Sequence, residues 1–144
     1  MRARTDIRVE LVDSIDSAEA CWLAELVHTR HRARGRLRPP VPAIYFERLI
    51  ARPEVRLLTY RDAEGRLLAY MLVLDDRTQL SLLVWGSRSG SGDQPRNLYF
   101  DQYRRLIELM VTLGRERLVL GKGLTDIKAR FGARPEPLFG VVGL

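Results

Sequence analysis

The sequence predicts an α+β fold: one domain with a mixed, mostly antiparallel central sheet flanked by helices. Three observations carry this expectation. Between residues 55 and 85, three apolar runs are separated by turn residues, the pattern of an antiparallel meander. Two stretches with apolar residues at helical spacing precede it, and a third follows it, leading into a short apolar run that reads as one more strand. Strands and helices segregated in this way belong to the α+β class. At 144 residues, 46% apolar and 29% charged, the chain has the size and composition of a single globular domain spanning 1–144.

In chain order, residues 7–12 alternate Ile7, Val9 and Leu11 with Arg8 and Glu10, as a half-buried strand does. Asp16 or Ser17 can cap a helix whose stripe is Ala20, Leu23, Leu26 and Val27, with Glu19 in its first turn. Gly35 and the prolines Pro39, Pro40 and Pro42 end that helix. A shorter helix over 43–51 buries Ile44, Phe46 or Tyr45, Leu49 and Ile50, and Pro53 closes it. The meander strands are 55–61, 67–74 and 79–85. They are joined by Asp62-Ala63-Glu64-Gly65 and by Asp75-Asp76-Arg77, where the two aspartates read as turn residues. After Asn97 comes a helix with Tyr99, Tyr103, Leu106, Ile107, Met110 and Leu113 on one face and Arg104, Arg105 and Glu108 on the other. Gly114 stands where a helix ends in the left-handed conformation, and 117–120 supply a buried strand. A short helix carrying Lys128, a glycine turn and a last strand complete the order.

The net charge is +6, and all basic residues but Lys122 and Lys128 are arginine. Such a balance suits anionic partners such as nucleotide phosphates, tRNA or an acidic carrier protein, and equally suits a solvated arginine-rich surface. Arg30, Arg32, Arg34, Arg36 and Arg38 occupy every second position. In a helix they spread around the axis; in an extended chain they share one side, as a phosphate-contacting arm would. No apolar run is long enough to span a bilayer, and the N-terminus lacks the apolar stretch of a signal peptide, so a cytoplasmic location without membrane contact is expected. Cys21 stands alone and reads as a small buried residue. His28 and His31 are three apart but have no third ligand in view, so no metal site is expected. No Ser-His-Asp grouping, phosphate-binding P-loop or dinucleotide fingerprint is present.

The succession Leu98-Tyr99-Phe100, helix, Gly114, strand Leu118-Val119-Leu120-Gly121, and then Lys128-Ala129-Arg130-Phe131-Gly132 resembles the C-terminal half of a GNAT-fold acyltransferase. It is similar in particular to the branch holding the Fem-type peptidoglycan aminoacyltransferases, in which a lysine precedes an aromatic-glycine pair after the fifth strand. Lys128 occupies that place, and the resemblance covers about the last two thirds of the chain. It implies an acyl or aminoacyl group moving from acyl-CoA (acetyl-CoA among them), a carrier-bound thioester or aminoacyl-tRNA to a small-molecule or peptide amine. It implies tRNA or an acyl carrier protein as partners and no metal. Fem-type enzymes pair two such domains and this chain has room for one, so two copies form a homodimer, or one works alone on a smaller donor, or the fold is kept as a binding module. The loop from Ser87 to Asn97 would hold the pyrophosphate of CoA. There Arg88, Gly90 and Gly92 form R-x-G-x-G, one residue shorter than the usual R/Q-x-x-G-x-G/A, and a plain flexible connector is the rival reading.

Acyl transfer to an amine requires a neutral nucleophile, a stabilised oxyanion and a proton for the leaving group. A lysine is a poor base near its usual pKa but, as an ammonium, a good electrostatic catalyst, which is the role expected of Lys128. Tyr70, Trp85 and Tyr99 are expected to line a substrate cleft where the fourth and fifth strands splay, with Tyr103 or Tyr99 near the reacting atoms; core packing is the alternative for each. The fourth strand lacks the glutamate that orients a base water in many such enzymes, Ser81 being its only polar side chain from 80 to 85. That gap and the shortened glycine motif leave a second function open: a non-catalytic module that contacts a protein partner or RNA through its arginine surface.

Overall fold

A computed structural model of the protein describes residues 6–88, 97–121 and 125–143. The elements run β1 (Arg8–Val12), α1 (Ser17–Ala33), α2 (Ala43–Ile50), β2 (Val55–Arg61), β3 (Leu67–Asp75), β4 (Gln79–Ser87), α3 (Leu98–Thr112), β5 (Arg117–Val119) and α4 (Thr125–Arg130). The strands form one sheet in the order β1-β2-β3-β4-β5, antiparallel throughout except for the parallel pair β4–β5. A parallel pair needs a crossover, which α3 provides.

Alternation along the strands sends side chains to two separate cores. On one face Leu57, Tyr70 and Leu72 pack with Leu23 of α1 and Phe46 of α2; on the other Tyr60, Met71, Val73 and Trp85 pack with Leu106 of α3. Asp16 caps α1 by accepting the Glu19 N–H at 2.7 Å, and Ala20, Leu23, Leu26 and Val27 are all buried, as the periodicity predicts. The Tyr70 hydroxyl donates to Leu23 O at 2.8 Å, tying α1 to the middle of the sheet. At the far end of α3, Arg115 N donates to Met110 O at 2.9 Å and Gly114 N to Val111 O at 3.1 Å. With Gly114 at φ +65°, this closes a Schellman turn that aims the chain into β5.

Several expectations are corrected. In α2, Ile44 and Tyr45 are each 48% exposed, and the helix is buried through the i, i+4 pair Phe46 and Ile50. In α3 the buried face is Gln102, Tyr103 and Leu106, while Ile107 points outward. Cys21, one residue past the buried Ala20, is exposed. Asp75 is more than a turn residue: its buried carboxylate accepts from Arg56 at 2.9 and 2.7 Å and from Arg115 at 2.7 Å. The last strand is absent among the described residues, since 133–143 pair with no neighbour and Leu138, Phe139, Val141 and Val142 are largely uncovered.

Candidate active site

Strand β4 creates the site by losing its partner. It pairs with β5 only over Gln79–Ser81, against Arg117–Val119, and runs on to Ser87 with no further strand pairing on that side among the described residues. The β3–β4 register passes from Leu72 opposite Val84 to Val73 opposite Leu82, so Leu83 is an extra residue in a bulge just beyond the last β4–β5 pair. Past the bulge, Arg88 N donates to Leu68 O at 3.1 Å. Because hydrogen-bonded pairs alternate along an antiparallel ladder, the pairs Ala69–Ser87 and Met71–Trp85 are of the other kind. Trp85 and Ser87 therefore turn their N–H and C=O groups away from β3, into the gap.

The Trp85 carbonyl confirms that geometry: it accepts a hydrogen bond from Nη1 of Arg30, which reaches across from the last turns of α1. A cavity of about 310 Å³ occupies the gap, bounded by Arg30 and Arg34 from α1, Trp85 and Ser87 from β4, and Asn97, Leu98 and Tyr99 at the start of α3. The helices on its two sides belong to opposite faces of the sheet, so the opening passes through the sheet where β5 has departed. Arg30 and Arg34 share a helix face by their i, i+4 spacing. Burial, and next the Arg34 guanidinium, lower the pKa of Arg30, which stays cationic. His31 between them is likewise lowered, by burial and then by Arg38, Arg36, Arg30 and Arg34, a second sign of concentrated positive charge.

The α3 wall is a ladder of aromatic rings. Trp85 meets Tyr99 edge to face at 6.4 Å, Tyr99 meets Tyr103 at 5.3 Å, and Tyr103 stacks on Phe131 at 5.1 Å, just beyond α4. The hydroxyls of Tyr99 and Tyr103 lie 2.6 Å apart. Tyr103 is buried behind Tyr99, and burial, followed by its bond to Tyr99, raises its pKa, keeping it a proton donor at neutral pH. Asn97, which opens α3, has φ +88°, an uncommon conformation for any residue but glycine.

Lys128 is buried, and its ammonium donates to Gly121 O at 2.7 Å. A Cβ built on Gly121 would lie 3.7 Å from Leu82 O, so this carbonyl sits at the fork where β5 leaves β4. Burial lowers the pKa of Lys128. From Leu82 to Trp85 the strand spans roughly 10 Å, which sets the separation along β4 between the fork and the Arg30 contact.

The expected site residues thus divide. Ser87, Asn97, Trp85 and Tyr99 line the cavity; Tyr103 stands one hydroxyl behind it, while Lys128 does not line it and bonds Gly121 O instead. Arg88 places its guanidinium 5.0 Å above the Trp22 ring of α1. Gly90 and Gly92 lie outside the described residues. Tyr70 is corrected: it is fully buried beneath α1, so it supports the strand and has no surface on the cleft. Arg30 was not singled out by sequence reasoning, although its i, i+4 relation to Arg34 was there to be read. Among the described residues, no group of three or more His, Cys, Asp or Glu is placed to hold a metal, and no helix is long and apolar enough to cross a membrane.

A model of the family described as acetyltransferase (GNAT) domain matches residues 1–129. No curated protein matches the chain. Among solved structures it is similar to a ribosomal-protein-alanine N-acetyltransferase from Brucella melitensis biovar Abortus 2308, with TM-score 0.67, 15% identity, and 96% and 100% of the two chains covered. It is similar to a predicted acetyltransferase with acetyl-CoA from Clostridium acetobutylicum, with TM-score 0.70, 8% identity and 96% of each chain covered. A third is the aminoglycoside acetyltransferase HMB0005 from an uncultured soil metagenomic sample, with TM-score 0.65, 13% identity, and 96% and 99% covered. At such identities the likeness is one of fold.

Proposed function

The chain belongs to the acetyltransferase (GNAT) domain family, and from that premise we propose that it is an N-acyltransferase moving an acetyl group from acetyl-CoA to an amine in the gap between β4 and β5. The observation that supports this most directly is the free edge of β4. The Trp85 N–H and the Ser87 backbone groups, which find no partner across the gap among the described residues, face a cavity at whose edge α3 begins. An amide N–H on that edge can bond an acyl oxygen as it becomes an oxyanion, and a helix N-terminus suits the diphosphate of the donor. GNAT acetyltransferases use acetyl-CoA as co-substrate. Leu98 and Trp85 offer apolar walls for the donor arm, and Ser87 and Asn97 polar contacts beside them.

The amine attacks the thioester carbon; the C–N bond forms, the C–S bond breaks, and the proton lost by the nitrogen is balanced by one gained by the departing thiolate. Tyr99 supplies that proton, with Tyr103 hydrogen-bonded behind it to share the charge. No carboxylate lines the cavity among the described residues, so the amine is deprotonated by solvent, aided by the Arg30 and Arg34 charges that disfavour an ammonium beside them. The role left to Lys128 is that of a fixed positive charge held on Gly121 O, outside the cavity wall. The lysine-aromatic-glycine turn also supports a place near the Fem-type branch, where the donor would be an aminoacyl ester of tRNA.

Isothermal titration with acetyl-CoA and longer acyl-CoAs tests the donor half, with binding to at least one expected. No heat from any of them, in a protein whose circular dichroism is intact, removes the CoA version. Lys128→Ala is expected to lower kcat by roughly ten- to a hundredfold; unchanged turnover removes the role given to it. A second reading, an RNA-binding module, draws on the exposed Arg36 and Arg38 beyond α1. It requires RNA affinity that collapses with salt and is lost when Arg32, Arg34, Arg36 and Arg38 are neutralised together.

A further inference from the structure

Resting on the acetyl-transfer reading above, we propose that Arg30, with Arg34 beside it, recognises a carboxylate on the acceptor, so that the substrate class is an amine carrying its own carboxylate, such as a free amino acid or a dipeptide.

Position separates this anion site from that of the donor. Arg30 contacts the carbonyl of Trp85, inside β4, whereas the connection expected to hold the donor diphosphate begins at Ser87, roughly 7 Å further along the strand. The two sites also approach from different faces. The diphosphate would sit at the start of α3, which covers one face, while Arg30 enters from α1 on the other. With the donor on the α3 side, the acceptor must come from the α1 side to reach the same carbon, and the first groups it meets there are two guanidiniums.

Chemistry narrows the acceptor. Arg30 is half-buried and spends one of its five N–H donors on the Trp85 carbonyl, which fixes the plane of the guanidinium. Neither Arg30 nor Arg34 has an acidic partner among the described residues, and the cavity wall contains no Asp or Glu. A planar fork held in place with free donors matches the two oxygens of a carboxylate. A polycationic acceptor would face two like charges with nothing to offset them. An acceptor of the proposed kind has its amine a few bonds from its carboxylate, so gripping the carboxylate at Trp85 also holds the nitrogen against the free edge of β4.

The test compares paired probes that differ only in that group. With acetyl-CoA as donor, thiol release is followed for L-alanine, L-phenylalanine, L-glutamate and glycylglycine and for the corresponding C-terminal carboxamides. In parallel, N-acetyl-L-phenylalanine and its amide are titrated into the CoA-saturated protein, with the tryptophan indole NMR signals as readout. At least one acid is expected to outrun its amide by tenfold or more in kcat/KM, and the acetylated acid to bind tenfold more tightly than its amide. Arg30→Gln should bring both ratios close to one; Arg30→Lys should restore part of them, and Arg34→Gln should lower them less. Acids and amides acting alike in the binding and kinetic assays would overturn the proposal, as would amides alone being acetylated. An Arg30→Gln protein that loses affinity for CoA while its acid-to-amide ratios persist would assign the arginine to the donor phosphates instead. Absence of acetyl-CoA binding to the wild-type protein strikes the underlying transfer reading and is distinct from all of these.

Discussion

The two ends of β4 differ in what they ask of arginine. At the closed end, Arg56 and Arg115 converge on the buried carboxylate of Asp75, Arg115 also donates to Arg77 O at 3.1 Å, and Glu116 N donates to Thr78 O at 2.9 Å. There two guanidiniums are anchored on one carboxylate, and the strands are paired. At the open end, among the described residues, Arg30 meets a backbone carbonyl and no carboxylate, and β4 has no strand partner on that side. The same residue type therefore fastens the fold at one end and remains available to a ligand at the other. The difference lies in a single acidic side chain.

The largest effect is expected from breaking the support of the open end. A Cβ at Gly86 would fall 2.3 Å from Cε1 of Tyr70, whose ring is fixed by its bond to Leu23 O and by edge-to-face contact with Phe46 at 6.3 Å. Neither backbone nor ring can yield easily, so Gly86→Ala should cost about 3 kcal/mol in urea unfolding. The double variant with Tyr70→Leu should recover part of that loss. If Gly86→Ala proves neutral, β4 is not held as described.

Unfastening the closed end comes next. Asp75→Asn removes a charge that two guanidiniums share, and since both remain partly open to water the cost should be roughly 2 kcal/mol, less than for a fully enclosed pair. Its signature is in the acid range. Hydrogen bonding from Arg115 first, opposed by burial and helped by Arg56, holds the Asp75 carboxyl below its usual range. A depressed folded-state pKa contributes stability that is complete above about pH 4, the unfolded value, and fades as pH falls through the folded one. The stability gap between wild type and Asp75→Asn should therefore narrow below pH 4 and stay constant from pH 6 to 8. A gap that is the same at all pH values would show the ion pairs to be incidental.

The smallest effect should come from α3, between the two ends. Gln102 is fully buried, and neither amide atom has a partner among the described residues. Gln102→Met keeps the volume and removes the unmet polar demand, and should raise stability by about 1 kcal/mol; a loss instead would point to a bound water serving the amide.

Much of this architecture was legible because local patterns carried it. The stripe of α1, its Asp16 cap, the meander turns and the glycine after α3 each follow from spacing alone. The misreadings have a common physical origin: periodicity shows which residues share a face but not which layer covers that face. Tyr70 and Trp85 both looked like cleft aromatics, yet one lies under α1 and the other faces α3. Gln102 was overlooked because its polarity argued for solvent, while the helix is rotated to bury it. Asp75 sits next to a turn in sequence, and only the return of the chain through Arg115 encloses it. Arg30 was one arginine among five until the fold brought it against β4. The run after Pro137 has the composition of a strand, which states a need for a partner without supplying one.

That run has a practical side. From Leu138 to Val142 the chain is uncharged, apolar and uncovered, and β5 offers a short outer edge with no strand beyond it among the described residues. These are the two halves of an intermolecular β pairing. Crowding the protein is expected to bring them together, through a segment that lies outside both packed cores.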